Sequence, residues 1–168
     1  MIYIIPLNSI DIDFLERVKI FVEEVYKEKI LIEKEIKFPD SCFNSLRNQY
    51  DAECVLGKLK SYENSYTLYI TDNDLYVKGL NFIFGLALPW EKKSIVSIKR
   101  LKESFYGKKE DLNILILRTA KEIIHEIGHL KGLSHCSDEN CVMYFSNSIY
   151  DTDYKDYKLC ENCLKKIK

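Results

Sequence analysis

A chain of 168 residues fits one domain, or one domain with a small appendage, and is long enough to bury a core of its own. Its 25 basic residues nearly cancel its 26 acidic ones, so the charge balance gives no support to nucleic acid or a membrane surface as a partner. A hydrophobic share of 46%, with no long Gly, Pro or Ser tract, excludes a disordered chain.

The opening IYIIPL, residues 2–7, reads as a first β-strand. No basic segment precedes it and the apolar run breaks at Pro6, too short for a signal peptide or a membrane span, so a cytoplasmic protein is expected. Across residues 11–29, Phe14, Val18, Phe21, Val22 and Val25 recur at helical spacing with charges between them, the pattern of an amphipathic helix covering a sheet. ILIEKEIKF, residues 30–38, alternates as a half-buried strand would, and Pro39-Asp40 ends it. Residues 50–60 read as a second helix.

YTLYITDNDLY, residues 66–76, holds two β-rich runs around a Thr-Asp-Asn-Asp turn, which leaves open a hairpin or a strand followed by a loop. The apolar run LNFIFGLALPW, residues 80–90, is either a buried strand or an edge strand awaiting a partner, and Gly85 and Pro89 limit its regularity. Residues 94–101 predict a further strand. From about Glu110 to Lys131 the chain is free of proline, acidic at its start and basic at its end, and stops at Gly132, which predicts one helix of about five or six turns. A Cys-rich tail with few regular patterns follows.

The end of that helix carries HEIGHLKGLSHC, residues 125–136, which contains all three histidines of the chain. On a helix, His125 and His129 lie about 40° apart around the axis and about 6 Å along it, so both imidazoles reach one ion from the same face. Glu126 is offset from that pair and suits a general base beside a metal-activated water. A continuous helix would carry residue 135 about 9 Å past residue 129, so the chain must turn, and Gly132 can take the left-handed conformation that allows it. Three neutral imidazoles with an open fourth position describe a catalytic zinc site. Scattered structural histidines do not explain the clustering.

The pattern HExxHxxGxxH, matched in full by His125, Glu126, His129, Gly132 and His135, resembles that of the metzincin zinc peptidases. Cys136, Cys141, Met143, Cys160 and Cys163 extend the resemblance to the archaemetzincins, a mainly archaeal branch with a second zinc. The resemblance implies an α+β, metzincin-like zincin fold with a mixed twisted sheet, covering helices and a long active-site helix. It further implies a single catalytic domain over 1–168, with an N-terminal subdomain (1–132) and a C-terminal subdomain (133–168) carrying a Met-turn at Met143. Phe145 stands where some metzincins have a tyrosine near the zinc, so that aid to the oxyanion is absent and Tyr144 is a weak substitute.

Cys136 with Cys141, and Cys160 with Cys163, form two pairs separated by eighteen residues, close to the spacing of four-thiolate zinc sites, with two disulfides as the alternative. Cys42 and Cys54 lack such partners and read as small buried apolar residues. The reading is therefore a zinc-dependent metallopeptidase, a monomer, with one catalytic and one structural Zn2+ and a peptide or protein as substrate. Substrate backbone is expected to pair with residues 80–88. Exopeptidase action on short peptides, as by an aminopeptidase, and endoproteolysis both stay open. The competing reading is a zinc-stabilised binding module without hydrolysis, against which Glu126 argues.

Overall fold

Alternate apolar residues of the first strand enter two different cores. The computed structural model describes residues 1–167. In chain order they form β1 (Ile2–Pro6), α1 (Ile12–Tyr26), β2 (Ile30–Ile32), β3 (Phe43–Asn44), β4 (Gln49–Asp51), α2 (Ala52–Lys58), β5 (Tyr66–Thr71), β6 (Leu75–Tyr76) and β7 (Gly85–Leu88). Then follow β8 (Lys93–Ser97), α3 (Leu112–Leu130), α4 (Ile149–Tyr154) and α5 (Glu161–Lys166). The main sheet has the order β2-β1-β5-β8-β7, parallel except for the last strand, and β3-β4-β6 make a smaller sheet.

Because side chains alternate across a strand, Ile2, Ile4, Leu68, Ile70 and Val96 face a core shared with α1 and α3, while Ile5, Tyr69 and Ile95 face a second core under α2. Burial on both faces is the state expected of parallel strands. The fold class is α+β as expected.

Several elements stop short of their sequence patterns. Only Ile30–Ile32 of the alternating run pair with β1, and Ile36 makes an isolated bridge to Leu7. Between them Glu33, Lys34 and Glu35 keep this edge polar. The strand expected over 94–101 ends at Ser97, where Lys99–Leu101 turn in a 3-10 helix that buries Leu101 in the core. Of residues 80–88 only the last four are a strand; the carbonyls of Leu80 and Asn81 accept hydrogen bonds from Arg47 and Gln49 side chains in place of a ladder. Residues 66–76 form no hairpin, since β5 and β6 belong to different sheets.

The expectation for Cys42 and Cys54 is corrected. They form a disulfide, with Cα atoms 5.6 Å apart, because the 3-10 turn Asp40–Cys42 packs beside α2. A twelve-residue separation with no motif spacing gave no sign of it.

Candidate metal centre and catalytic cleft

The helix that carries the histidines starts where Asp111 caps it, its carboxylate accepting from the Ile114 amide at 3.0 Å. It ends in a Schellman motif: the Leu133 amide donates to the Gly128 carbonyl at 2.9 Å while Gly132 takes φ +92°. That reversal turns the chain so that His135 returns to the helix, and the imidazole centroids of His125, His129 and His135 lie 4.7, 4.8 and 5.3 Å apart.

Two of these rings are fixed by backbone carbonyls. Nδ1 of His125 lies 2.8 Å from the Val142 oxygen, and Nδ1 of His129 lies 2.8 Å from the Leu133 oxygen. A carbonyl only accepts, so in the neutral rings Nδ1 carries the proton and Nε2 presents a lone pair. The two Nε2 atoms are nevertheless 3.1 Å apart. Lone pairs facing each other at that distance repel unless a cation sits between them. Nitrogens held about 2.0–2.1 Å from one tetrahedral zinc would lie about 3.3–3.4 Å apart, close to the spacing seen. Burial also pushes all three imidazoles below their ordinary pKa, His125 most strongly, which keeps them neutral and able to ligate.

Glu126 is buried at the floor of a cleft of about 480 Å³ shared with the three histidines. Burial, and then the Glu122 carboxylate one helical turn back, raise its pKa well above the ordinary value, with Lys155 opposing. Its neighbour across the cleft is Gly85 at the start of β7. A Cβ on Gly85 would fall 2.6 Å from Glu126 Oε1, so a bare backbone at residue 85 gives the carboxylate its room. Among the described residues β7 pairs only with β8, which leaves its outer edge free, and it lines the cleft together with Phe82 and Phe84. The opposite wall holds Phe145, Ser146 and Asn147, with the Phe145 ring 5.0 Å from that of His135. Tyr144 does not line the cleft.

Met143 is fully buried against the active-site helix: a Cβ on Gly128 would fall 2.3 Å from its Sδ. The turn carrying it is closed by the Tyr144 amide on the Cys141 carbonyl at 2.9 Å. The carbonyl just before Met143, that of Val142, is the one that orients His125.

The other four-residue group also assembles. Sγ of Cys136 is 3.8 Å from that of Cys160, and Sγ of Cys141 is 3.8 Å from that of Cys163. Four thiolates about 2.3 Å from one tetrahedral zinc would be about 3.8 Å apart, and none of the four is in a disulfide. Burial pushes the Cys141 and Cys163 thiols up, so thiolates there need a cation. Backbone amides of Asp138 and Cys160 point at Cys136 and Cys141, each at 3.4 Å. Both residue groups suit a metal ion.

Glu122, Lys155 and Gly85 were not singled out from the sequence. For Glu122 the signal was available, four residues before Glu126 on the same helical face. Gly85 was marked only as an irregularity in its apolar run, and nothing in the sequence marks Lys155. No described helix is long and apolar enough to cross a membrane.

Comparison with known proteins gives concordant matches. The family model for Peptidase family M54 matches residues 4–168. The chain is 45% identical over 141 residues to an archaemetzincin of Saccharolobus solfataricus, covering 82% of this chain and 76% of that protein. It is 38% identical over 162 residues to an archaemetzincin of Methanocaldococcus jannaschii, covering 96% and 89%. Among solved structures, a zinc-dependent peptidase from Methanocorpusculum labreanum superposes with a TM-score of 0.92 at 30% identity over the whole of both chains. Archaemetzincin from Archaeoglobus fulgidus, complexed with malonate, superposes with a TM-score of 0.85 at 35% identity over 98% of both.

Proposed function

Since the chain belongs to peptidase family M54, the archaemetzincins, and is a zinc metallopeptidase of metzincin-like zincin fold, we propose that His125, His129 and His135 hold its catalytic zinc and that Glu126 is its general base. The observation that carries this reading is the pair of Nε2 lone pairs 3.1 Å apart, beside a buried carboxylate in a cleft.

Zinc, when bound, supplies Lewis acidity that polarises a carbonyl and lowers the pKa of a water from about 15.7 toward roughly 7. The protein's own residues do the rest. Val142 and Leu133 oxygens hold the tautomer that leaves Nε2 free. The free edge of β7 offers backbone groups to an extended peptide and lays its scissile bond along the cleft. Glu126 accepts a proton from the attacking water as its oxygen bonds to the carbonyl carbon. When the C–N bond breaks, the same carboxyl returns that proton to the departing amine nitrogen.

Cys136, Cys141, Cys160 and Cys163 are assigned a second, structural zinc, which fastens the subdomain 133–168 beneath the cleft. Aminopeptidase action on short peptides is the finer reading, with endoproteolysis beside it; the cleavage positions decide between them.

The test is to incubate zinc-loaded wild type and the Glu126→Ala variant with a diverse peptide library and read products by mass spectrometry. Cutting by wild type alone supports the assignment. Equal cutting by both removes Glu126 from the mechanism, and no cutting by a metal-loaded wild type favours a binding role.

A further inference from the structure

An ion pair that the hydrolytic steps above do not use reaches from the cleft lining, through Glu122, to the end of α4. Lys155 Nζ is 3.4 Å from Glu122 Oε1, and both side chains are withdrawn from solvent, at 0% and 4% exposure. Burying two charges costs desolvation that their attraction only roughly offsets, and two well-packed apolar side chains of the same volume are often as stable or more so. Stability therefore does not explain the pair; direction does.

The contacts show which direction. Thr152 donates its hydroxyl to Glu122 Oε1 at 3.1 Å, and Lys121 donates to the Thr152 carbonyl at 2.9 Å. Arg118 grips Asp153 with two hydrogen bonds of 2.7 Å. Successive residues of one face of α3 thus clamp α4. From the end of α4, Lys155 reaches back and donates to the Tyr144 carbonyl at 3.2 Å. Tyr144 closes the turn that holds Met143, and two residues earlier the Val142 oxygen orients His125. Phe145 and Ser146, next along the chain, are cleft wall.

We propose that Glu122 and Lys155 are positioning residues, a buried latch that sets the 142–146 segment against α3 and so fixes both the His125 ring and the width of the cleft. This rests on the reading of the three histidines as the catalytic site. His129 takes its carbonyl from Leu133, outside the latched segment, and serves as an internal reference.

The chain has only three histidines, so selective 15N-histidine labelling reports on this site alone. The experiment uses full-length, zinc-loaded protein: wild type, Lys155→Arg, and the double variant Glu122→Met with Lys155→Met, which removes both charges at similar volume. In the double variant, zinc content stays at the wild-type level. The His125 Nδ1–H resonance shifts and exchanges faster with solvent, and that of His129 stays in place. The kcat on a peptide substrate falls tenfold or more. Lys155→Arg, which keeps a cation, recovers most of kcat. A double variant with wild-type His125 resonance and wild-type kcat overturns the proposal. Should it not fold, Glu122→Gln carries the same comparison, and an unmoved His125 resonance there overturns it equally. If wild type cuts no peptide, the hydrolytic reading fails while the His125 and His129 resonances still decide the latch.

Discussion

Replacing Gly85 with alanine adds one methyl group to a strand, and the role proposed for Glu126 predicts that it costs catalysis more than stability. The new Cβ would lie 2.6 Å from Oε1, 2.8 Å from Cγ and 2.9 Å from Cδ of Glu126, all inside contact distance. Gly85 has no positive φ, so alanine adopts its backbone conformation freely and gains about 0.4–1 kcal/mol from a less flexible unfolded chain. Overpacking by one methyl costs about 1–3 kcal/mol. The net loss of stability is thus roughly 0–2.5 kcal/mol, tolerable for a folded domain. The Glu126 carboxylate, however, is the part that must yield. Misplacing a catalytic group by about 1 Å costs about 100-fold in rate, equivalent to about 2.7 kcal/mol of barrier. The expected result, by steady-state peptide cleavage with zinc content measured in parallel, is a kcat lowered about 100-fold, KM nearly unchanged and full metal occupancy. Activity within twofold of wild type would refute the view that Gly85 sets the position of the base.

Gly57 supplies the control: nothing lies within 4 Å of a Cβ there, so Gly57→Ala in α2 leaves activity unchanged and raises stability by up to about 1 kcal/mol in chemical denaturation. Breaking the Cys42–Cys54 bridge by a double serine variant removes a loop constraint worth about 3 kcal/mol, or roughly 6–12 °C in a domain of this size; an unchanged Tm would show that the bridge contributes nothing. Metal analysis is expected to show two zinc ions per chain in wild type and one in the Cys160→Ser, Cys163→Ser variant; two retained equivalents in the variant would remove the four-thiolate assignment. Acid stability depends on Glu28. Burial alone would raise its pKa, but Lys131 and the N-terminal amine together hold it below the ordinary carboxylate value. Its contribution is therefore complete above the unfolded-state pKa and is lost as pH falls through the folded-state value. Glu28→Gln is expected to lose less stability than wild type between pH 5 and pH 3, an effect weakened by salt because the pair is partly exposed.

The histidine cluster was legible in the sequence because its geometry is local. His125 and His129 are set by helical periodicity alone, and Gly132 is required wherever a helix must reverse within three residues. The cysteines were legible as two closely spaced pairs, but the 3.8 Å contacts run between the pairs, Cys136 to Cys160 and Cys141 to Cys163, and need the fold to form. The apolar run of residues 2–7 likewise marked a strand, because its β-branched and aromatic side chains favour extended backbone.

What depended on distant segments was not legible. Lys155 meets Glu122 across 33 positions because α4 packs on α3, and Gly85 faces Glu126 across 41 because α3 packs over β7 and β8. Residues 80–84 have a strand's composition, but Arg47 and Gln49 take the carbonyls of Leu80 and Asn81, and no local pattern announces a competitor for a hydrogen bond. Cys42 and Cys54 read as unpaired because eleven intervening residues do not fix a distance; the packing of a 3-10 turn against α2 does. By itself the sequence determined which histidines and cysteines come together as candidate ligands. Only tertiary structure decided what encloses them, since short-range geometry follows from dihedral preferences and long-range contact from how buried surfaces close together.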